Sequence, residues 1–426
     1  MIEGGLLVPA LASFAAWLFL LAFRGGFWRC RQRLDGPPQM HGPAHGPAHG
    51  PTHGPDDGWP SVTALVPARN EASVIGACVG RLLRQDYPGP FRVVVIDDHS
   101  EDGTAAAAAQ AAADSGRPDA LTVICARPLE PGWAGKVWAL AEGHAHARDA
   151  FPDTRFFWLT DADIAHDPAN LRRLAAKAES GRLDLVSQMV LLATDGFWAG
   201  LLIPAFVFYF QKLYPFAWVN DPARHVAAAA GGSVLLRRGA LERIGGFAAI
   251  RDALIDDCAL ARAVMEKGGD PAGPAGRPEP GRLWLGLTTA AESLRPYRGL
   301  AGVWRMVARS AFTQLRYSPA LLAGTLAGMA LLYWGVPVLA LAALAAGEGA
   351  ALFFALGAWA LMALAFLPTL RLYRGSGWRC WLLAPALPLA GLLYSLMTLA
   401  SAVAYWRGRG GAWKGRTLPA GGGSPA

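Results

Sequence analysis

Two carboxylates, Asp161 and Asp163, stand two residues apart directly after the apolar run 156–159 (FFWL). That run is typical of a buried strand, so both side chains would stand at the end of the strand. Carboxylate oxygens are hard ligands that suit Mg2+ or Mn2+, especially when the ion also bridges the phosphates of a substrate. An isolated Asp-X-Asp pattern also arises by chance as an ordinary turn, so the strand before it gives the pair its weight.

Polar residues also follow the other predicted strands. The residues in question are Arg69, Asn70, Glu71, Asp97 and Asp98. Each alone would be explained by a turn or a helix cap. Acids that recur at successive strand ends are different, because ligands of parallel sheets bind beyond the carboxyl ends of the strands. The pattern therefore predicts one ligand site along a single sheet edge.

The segment 61–318 contains the elements that would position these residues. Strand and helix patterns alternate along it, which predicts an α/β domain with a largely parallel sheet. The predicted strands are 62–66, 91–96, 121–125 and 155–159, and the predicted helices are 71–83, 104–113 and 136–147.

Composition indicates that part of the chain lies in lipid. Of 426 residues, 53% are hydrophobic and only 17% are charged, whereas soluble chains are about 25% charged. The uncharged runs 6–23, 319–346, 349–370 and 380–406 are predicted to span a membrane. Because the net charge of +7 is placed beside these runs, we expect no nucleic-acid partner.

Arginines directly after the run 6–23 favour a membrane anchor with a cytoplasmic C-terminal flank over a cleaved signal peptide. A strict count of four spans would place the basic tail 407–426 outside. The alternative is that one of these runs forms a re-entrant hairpin, in which Pro385 and Pro388 would break the helix.

The composition of the His/Gly/Pro repeat 40–55 indicates a spacer, and metal binding is the alternative. Five scattered cysteines without a CxxC pattern indicate no zinc site and no disulfide framework.

One more apolar segment, 197–210, continues to residue 218 with further aromatic residues. It reads as too short to span a bilayer and as rich in the residue types found at membrane interfaces. A buried core helix is the alternative. At an interface, the segment would let a lipid acceptor reach the catalytic domain.

Several motifs of this chain occur in the same order as the motifs of a known enzyme family. The chain resembles the inverting family 2 glycosyltransferases, which have a GT-A fold. The motifs that carry this resemblance are, in chain order, VPARNE, VVVIDDHSEDGT, GWAGKVWAL, WLTDADI, AAAGGSVLLRRGALERIGGF, IDDCALARAV and QLRY. The resemblance covers 61–318. The flanking spans are similar to the ceramide glucosyltransferase-like branch, and PLEPGWAGKVWAL with WKGR is most similar to the hopene-associated glycosyltransferases of hopanoid biosynthesis.

The resemblance implies roles for individual residues. Asp163, with Asp161, would bind the divalent metal. The residues implied to bind the nucleotide sugar are Arg69, Asn70, Glu71, Asp97, Asp98, Lys136, Asp161, Gly231 and Gly232. Lys136 would meet the diphosphate at a helix N-terminus, where backbone amides also favour anions; a solvated surface lysine is the alternative.

An inverting transfer also needs a base to take the proton of the acceptor hydroxyl. The family pattern implies Asp257, with Asp256 beside it at the start of a helix. Favourable helix-dipole interactions are the alternative explanation for this pair. QLRY departs from the family's QxxRW signature, yet Arg309 and Arg316 remain candidates to stabilise the departing diphosphate.

These observations predict a multi-pass inner-membrane enzyme with its catalytic domain facing the cytoplasm. It would move a sugar from a nucleotide-diphosphate sugar to a lipid acceptor in the bilayer. The predicted organisation is an anchor 1–28, a linker 29–60, a GT-A domain 61–318 with the interface segment 197–218, spans 319–406 and a tail 407–426. The alternatives are a processive polysaccharide synthase and a non-enzymatic nucleotide-sugar-binding scaffold. A nucleotidyltransferase or a dinucleotide-binding oxidoreductase is disfavoured because no GxGxxG follows the first strand.

Overall fold

The computed structural model describes residues 5–35, 58–270 and 279–408, with the backbone of 412–413 and 416–417. The repeat 40–55 lies outside the described residues. The chain divides into two compact units. The sheet unit comprises Arg31–Leu192, Trp218–Arg295 and Ala412–Ala426, and the helical unit comprises Met1–Cys30, Ala193–Ala217 and Pro296–Gly411.

An eight-stranded sheet forms the centre of the sheet unit. Its strands are β1 Val62–Ala68, β2 Phe91–Asp97, β3 Leu121–Cys125, β4 Phe156–Thr160, β5 Ile164–His166, β6 Leu185–Leu191, β7 Ser233–Arg237 and β8 Leu283–Ser293. Their order across the sheet is β3-β2-β1-β4-β7-β6-β8-β5. The first four are parallel, but β7 is antiparallel to both neighbours and β5 is antiparallel to β8. The expectation of a largely parallel sheet therefore holds for one half only, and the sheet is mixed.

Helices cover the sheet in the manner that the sequence pattern predicts. Ile75, Val79 and Leu82 recur at helical spacing and are buried in the core with β1 and β2. The predicted elements 62–66 to 155–159 all form, with ends that differ by at most three residues. The helices of this unit are Ala72–Leu83, Thr104–Asp114, Gly135–Ala150, Asn170–Ser180, Arg238–Arg243 and Asp256–Lys267, and the short helix Phe216–Val219 bridges the boundary between the units.

The helical unit contains four helices that are long and apolar enough to cross a membrane. They are Gly196–Leu213, Pro319–Ala346, Gly349–Arg374 and Arg379–Trp406, and the helix Leu7–Phe23 is shorter, with 17 residues. The expectation that 197–210 is too short to span is wrong, because the helix takes in residues on both sides and reaches 18. Near Pro385 and Pro388 a 3-10 turn, Ala384–Ala386, leads directly into the helix Leu387–Trp406. The shorter helices of the unit are Gly299–Ala308 and Ala311–Gln314.

Aromatic contacts join these helices. Trp17 Nε1 donates a hydrogen bond to the carbonyl of Leu332 at 2.8 Å, and the Trp17 ring meets Tyr333 edge to face. Tyr333 lies in a π-helical segment, Ala330–Trp334, inside the span Pro319–Ala346. Large apolar side chains such as Leu341 and Phe353 remain exposed on the outside of the unit, 67% and 68% respectively. Such exposure marks a surface that faces lipid or a partner.

Candidate functional site

The carboxyl ends of β1, β2 and β4 meet at one edge of the sheet. β1 lies between the other two, and Ala68 pairs with Asp97 in register. The next residue along β2, Asp98, donates its backbone N–H to the carbonyl of Ala68 at 2.8 Å. Asp161 directly follows the end of β4. The structure therefore places the predicted strand-end residues along the same edge.

Gly231 and Gly232 reach this edge because β7 runs antiparallel to β4. Ser233 at the start of β7 pairs with Thr160 at the end of β4. The Thr160 hydroxyl also donates to the carbonyl of Gly232 at 3.0 Å. The glycine pair precedes its strand, and the antiparallel direction therefore brings it beside the acids that follow β4.

Lys136 links two acids that are far apart in the chain. Its Nζ lies 2.8 Å from Asp161 Oδ1 and 3.1 Å from Asp256 Oδ2. Burial alone would lower the pKa of Lys136, but the Asp161 and Asp256 carboxylates outweigh it and raise that pKa. The ammonium is therefore held in its charged form. It stands at the start of the helix Gly135–Ala150, as the sequence predicts.

Asp257 is held by backbone amides. Its Oδ2 accepts a hydrogen bond from Gly231 N at 2.8 Å, and its Oδ1 accepts one from Cys258 N at 2.7 Å. Burial, together with the charge of Asp256, raises the pKa of Asp257 to about 6, against the opposing effects of Lys136 and the two amides. A fixed carboxylate with a pKa near the working pH is suited to accept a proton.

These groups line one cleft that opens to solvent. Its polar lining includes Lys136, Asp161, Asp256 and Asp257, and Gly231 forms part of its wall. A Cβ on Gly231 would lie 3.2 Å from Lys136 Nζ and 3.4 Å from Asp257 Oδ2. The absence of a side chain there thus permits the close approach of the ammonium, the carboxylate and the backbone.

Asp163 belongs to a second charged cluster. Its Oδ2 accepts hydrogen bonds from Ser293 Oγ at 2.9 Å and from Arg295 Nε at 3.2 Å. Arg295 Nη2 also contacts Glu71 Oε1 at 2.6 Å. Burial alone would lower the pKa of Arg295, but Asp163 and Glu71 raise it. Arg295 therefore bridges the residues that follow β1 and β4.

Sequence reasoning missed Arg295 and Ser293. They come to Asp163 because β8 pairs antiparallel with β5, with Ile164 opposite Ser293. A charged residue just past the end of a strand was the available signal, as it was for Arg69 and Asp98. The strand itself was not among the predicted elements.

The donor set fits a divalent metal shared with a substrate. Asp161 Oδ1 contacts Lys136 and Asp163 Oδ2 contacts Arg295, so each carboxylate has a second oxygen outside these ion pairs. No group of three or more His, Cys, Asp or Glu side chains among the described residues could hold a metal ion. Mg2+ commonly takes one or two carboxylates from a protein and further ligands from substrate phosphates and water. The two aspartates match that arrangement.

The remaining residues predicted to bind the nucleotide make hydrogen bonds within and between the loops that follow β1 and β2. Arg69 Nη1 donates to the carbonyl of the fully buried Asp98 at 2.5 Å. Asn70 Oδ1 accepts from Glu101 N at 2.9 Å, and Asp97 Oδ1 accepts from Ser100 N at 2.9 Å. The contacts of Arg69 and Asn70 thus connect the loop that follows β1 to the loop that follows β2.

Arg309 and Arg316 belong to the helical unit, whereas the other predicted site residues lie in the sheet unit. Arg309 ends the helix Gly299–Ala308, and Arg316 has a left-handed backbone with φ of 51°. Their predicted role at the diphosphate remains a prediction.

A family model described as glycosyl transferase family 2 matches residues 63–245. This range includes β1 to β7, Lys136, both strand-end aspartates and the glycine pair. No curated protein matches the chain significantly.

Two solved structures are similar to this chain, and the first of them supports the same fold. The mannosyltransferase PcManGT from Pyrobaculum calidifontis, in complex with GDP-Man and Mn2+, is 24% identical, with 92% of this chain and 99% of that chain covered and a TM-score of 0.50. Glucosyl-3-phosphoglycerate synthase from Mycobacterium tuberculosis is 18% identical, with 60% and 79% covered and a TM-score of 0.37. Residues 63–245 therefore match a glycosyl transferase family 2 domain, and the chain has a GT-A-like fold.

Proposed function

We propose that the chain moves a sugar from a nucleotide-diphosphate sugar to a membrane lipid, with inversion at the anomeric carbon. The observation that carries this proposal is the convergence of Lys136, Asp161 and Asp257 in one cleft. The first two form a charged pair suited to a diphosphate and its metal, and the third is held as a base. Separate sites for the leaving group and for proton removal are what a direct displacement requires.

The donor would bind at the edge formed by β1, β2 and β4. PcManGT, which shares the fold, binds GDP-Man and Mn2+. In this chain Asp161 and Asp163 would hold Mg2+ or Mn2+, which supplies charge neutralisation for the diphosphate when it is bound. Lys136 would add its own positive charge as the diphosphate departs. Arg69, Asn70, Glu71, Asp97 and Asp98 remain our candidates for the nucleoside.

Asp257 would remove the acceptor proton. The amides of Gly231 and Cys258 fix its two oxygens, while Asp256 is paired with Lys136. The neighbouring acids therefore differ in their partners, and burial opposes the charge of Asp257 and raises its pKa. A carboxylate that is destabilised in its charged form gains free energy by accepting a proton.

The helical unit supports a lipid acceptor. Four helices of this unit are long and apolar enough to cross a membrane, and such an enzyme can receive its acceptor directly from the bilayer. The arginines after Phe23 favour a cytoplasmic catalytic domain in the inner membrane. The motif resemblance extends this proposal to hopanoid or related glycolipid biosynthesis.

A transfer assay tests this function. The full chain in lipid nanodiscs would be given labelled nucleotide sugars, Mn2+ and extracted membrane lipids, and the products would be identified by mass spectrometry. We expect a lipid carrying one added sugar of inverted anomeric configuration. A product formed only on water-soluble acceptors would overturn the lipid acceptor, and a ladder of polymers would favour a processive synthase.

A further inference from the structure

Two buried hydroxyls of the sheet unit hold the segment that carries the glycine pair. Ser187 Oγ accepts a hydrogen bond from Ala230 N at 2.8 Å and donates one to the carbonyl of the same residue at 3.0 Å. Thr160 Oγ1 donates to the carbonyl of Gly232 at 3.0 Å. Ser187 is 0% exposed and Thr160 is 1% exposed. The segment is therefore bonded to the sheet on both sides of Gly231, whose amide holds the proposed base.

The Thr160 hydroxyl has a further partner, His166 at the end of β5. His166 Nε2 lies 2.9 Å from Thr160 Oγ1. A hydroxyl has a single proton, and Thr160 gives its proton to the Gly232 carbonyl, so the imidazole donates through Nε2. His166 Nδ1 then accepts from Asn170 Nδ2, which lies 3.1 Å away. The contacts form one directed chain from Asn170 through His166 and Thr160 to Gly232.

Burial keeps the His166 imidazole neutral. The side chain is 1% exposed, and desolvation lowers the pKa of His166 to about 3. The Trp158 ring packs against it, with 4.4 Å between the ring centroids. A neutral imidazole has one donor and one acceptor nitrogen, which is what the directed chain requires. The hydrogen bond from His166 to Thr160 is therefore kept at neutral pH.

The glycine pair depends on such external contacts for its direction. Glycine has the freest backbone dihedral angles of all residues, so two in succession do not define a direction by themselves. Packing closes one side of the pair, because a Cβ at Gly232 would lie 2.8 Å from Val190 Cγ2. The Thr160 hydroxyl fixes the Gly232 carbonyl on another side. Together these contacts restrict the direction in which Gly231 presents its amide.

We propose that His166 is a positioning residue for Asp257, on which it acts through Thr160 and the glycine pair. This inference rests on the proposed function, in which Asp257 is the base. The Gly231 amide donates to Asp257 Oδ2 at 2.8 Å and opposes the rise of the pKa of that carboxyl. Loss of the Thr160 contact would misdirect the amide, raise the pKa of Asp257 further and slow the transfer of the proton.

Hydrogen exchange of the full chain in lipid nanodiscs tests the chain of contacts without measuring sugar transfer. The Gly231 amide should exchange about fivefold faster in Thr160→Val than in the wild type, as expected for loss of one buried hydrogen bond. His166→Leu should have the same effect, and the double variant should lose no more protection, because the two residues act in series. Thr160→Ser keeps the hydroxyl and should preserve the exchange rate. Thr63→Val is the matched control, because it removes a buried hydroxyl that bonds Thr154 instead.

Transfer kinetics give a second readout. Thr160→Val should lower kcat about tenfold and move the acidic limb of the pH profile to higher pH, while the affinity for the nucleotide sugar in calorimetry is unchanged. An inactive wild type would contradict the proposed function, and the exchange rates alone would then decide whether His166 holds the glycine pair.

Two outcomes would overturn the positioning role of His166. One is unchanged exchange of the Gly231 amide in both Thr160→Val and His166→Leu. The other is equally accelerated exchange in Thr63→Val, which would indicate a general loss of stability. If His166→Leu fails to fold, Thr160→Val decides, because valine keeps the shape of threonine and removes only the hydroxyl.

Discussion

The backbone N–H of Gly231 donates a hydrogen bond to Asp257 Oδ2 at 2.8 Å. This contact joins the glycine pair that precedes β7 to the start of the helix Asp256–Lys267 and orients the carboxylate in the cleft. Lys136 Nζ would lie 3.2 Å from a Cβ at position 231, so the position tolerates no side chain without movement of the ammonium.

Gly231→Ala should therefore lower kcat about tenfold or more, because small displacements of catalytic groups have large effects on rate. Steady-state transfer kinetics would show the effect. Gly324→Ala is the matched control, because no atom lies within 4 Å of the added Cβ and the residue stands inside a helix. Equal loss in both variants would contradict a specific role for Gly231.

Asp257→Asn should lower transfer by roughly 10²- to 10⁴-fold, as is typical of the loss of a general base. Donor affinity should persist, because the amide keeps the size of the carboxylate. Calorimetry with the nucleotide sugar and a transfer assay would separate the two effects. Asp149→Asn, at an exposed ion pair, should leave both unchanged; near-normal transfer by Asp257→Asn would place the base elsewhere.

The pH profile should show the ionisation of Asp257. Its pKa is raised to about 6, and only the ionised form accepts a proton. Plots of log kcat/KM against pH should therefore fall with unit slope below about pH 6 and level off above it. The residual activity of Asp257→Asn should lack this limb. The same limb in that variant would assign it to another group.

Lys136→Met should affect both the binding of the donor diphosphate and the ionisation of the base Asp257. Loss of the charge at the diphosphate should raise the donor KM. Because Lys136 lowers the pKa of Asp257, its removal should also move the acidic limb to higher pH. Lys136→Arg should restore most of both properties. A donor KM and a limb that both stay unchanged would argue that Lys136 only supports the fold.

Transfer should require a divalent metal held with the help of Asp163. We expect excess chelator to abolish activity and added Mn2+ to restore it. Asp163→Asn should weaken metal-dependent donor binding in calorimetry, because a neutral amide is a poorer ligand than a carboxylate. Full activity of the wild type in excess chelator would contradict this prediction.

Arg295→Met should destabilise the sheet unit, because it leaves Asp163 and Glu71 without the cation between them. Since Arg295 is partly exposed, we expect a loss of about 1–2 kcal/mol, below that of a buried pair. Adding Glu71→Gln should recover part of this loss in a double-mutant cycle of thermal unfolding. Arg172→Met, at the exposed pair with Asp86, should have little effect; additive losses at 295 and 71 would rule out coupling.

The local sequence pattern was sufficient to predict many of the secondary-structure elements of this protein. The alternation of apolar runs and turn residues determined the early strands and helices, because side-chain periodicity is a property of the segment itself. The position of Asp98 and Asp161 at one edge followed from parallel strand direction. Motif order also predicted the glycosyltransferase domain, which the family model confirms.

Tertiary structure decided which of these residues meet. Lys136 contacts Asp256 only because the helices that carry them both begin at the same cleft, and Arg295 contacts Glu71 across 224 residues of sequence. Antiparallel pairing of β7 with β4 brings Gly231 to Asp161, and antiparallel pairing of β5 with β8 brings Arg295 to Asp163. The direction of a strand in the sheet leaves no local pattern in the sequence. Burial and charge around Asp257 likewise arise from distant segments. Its elevated pKa therefore follows from the assembled fold rather than from the Asp-Asp pair alone.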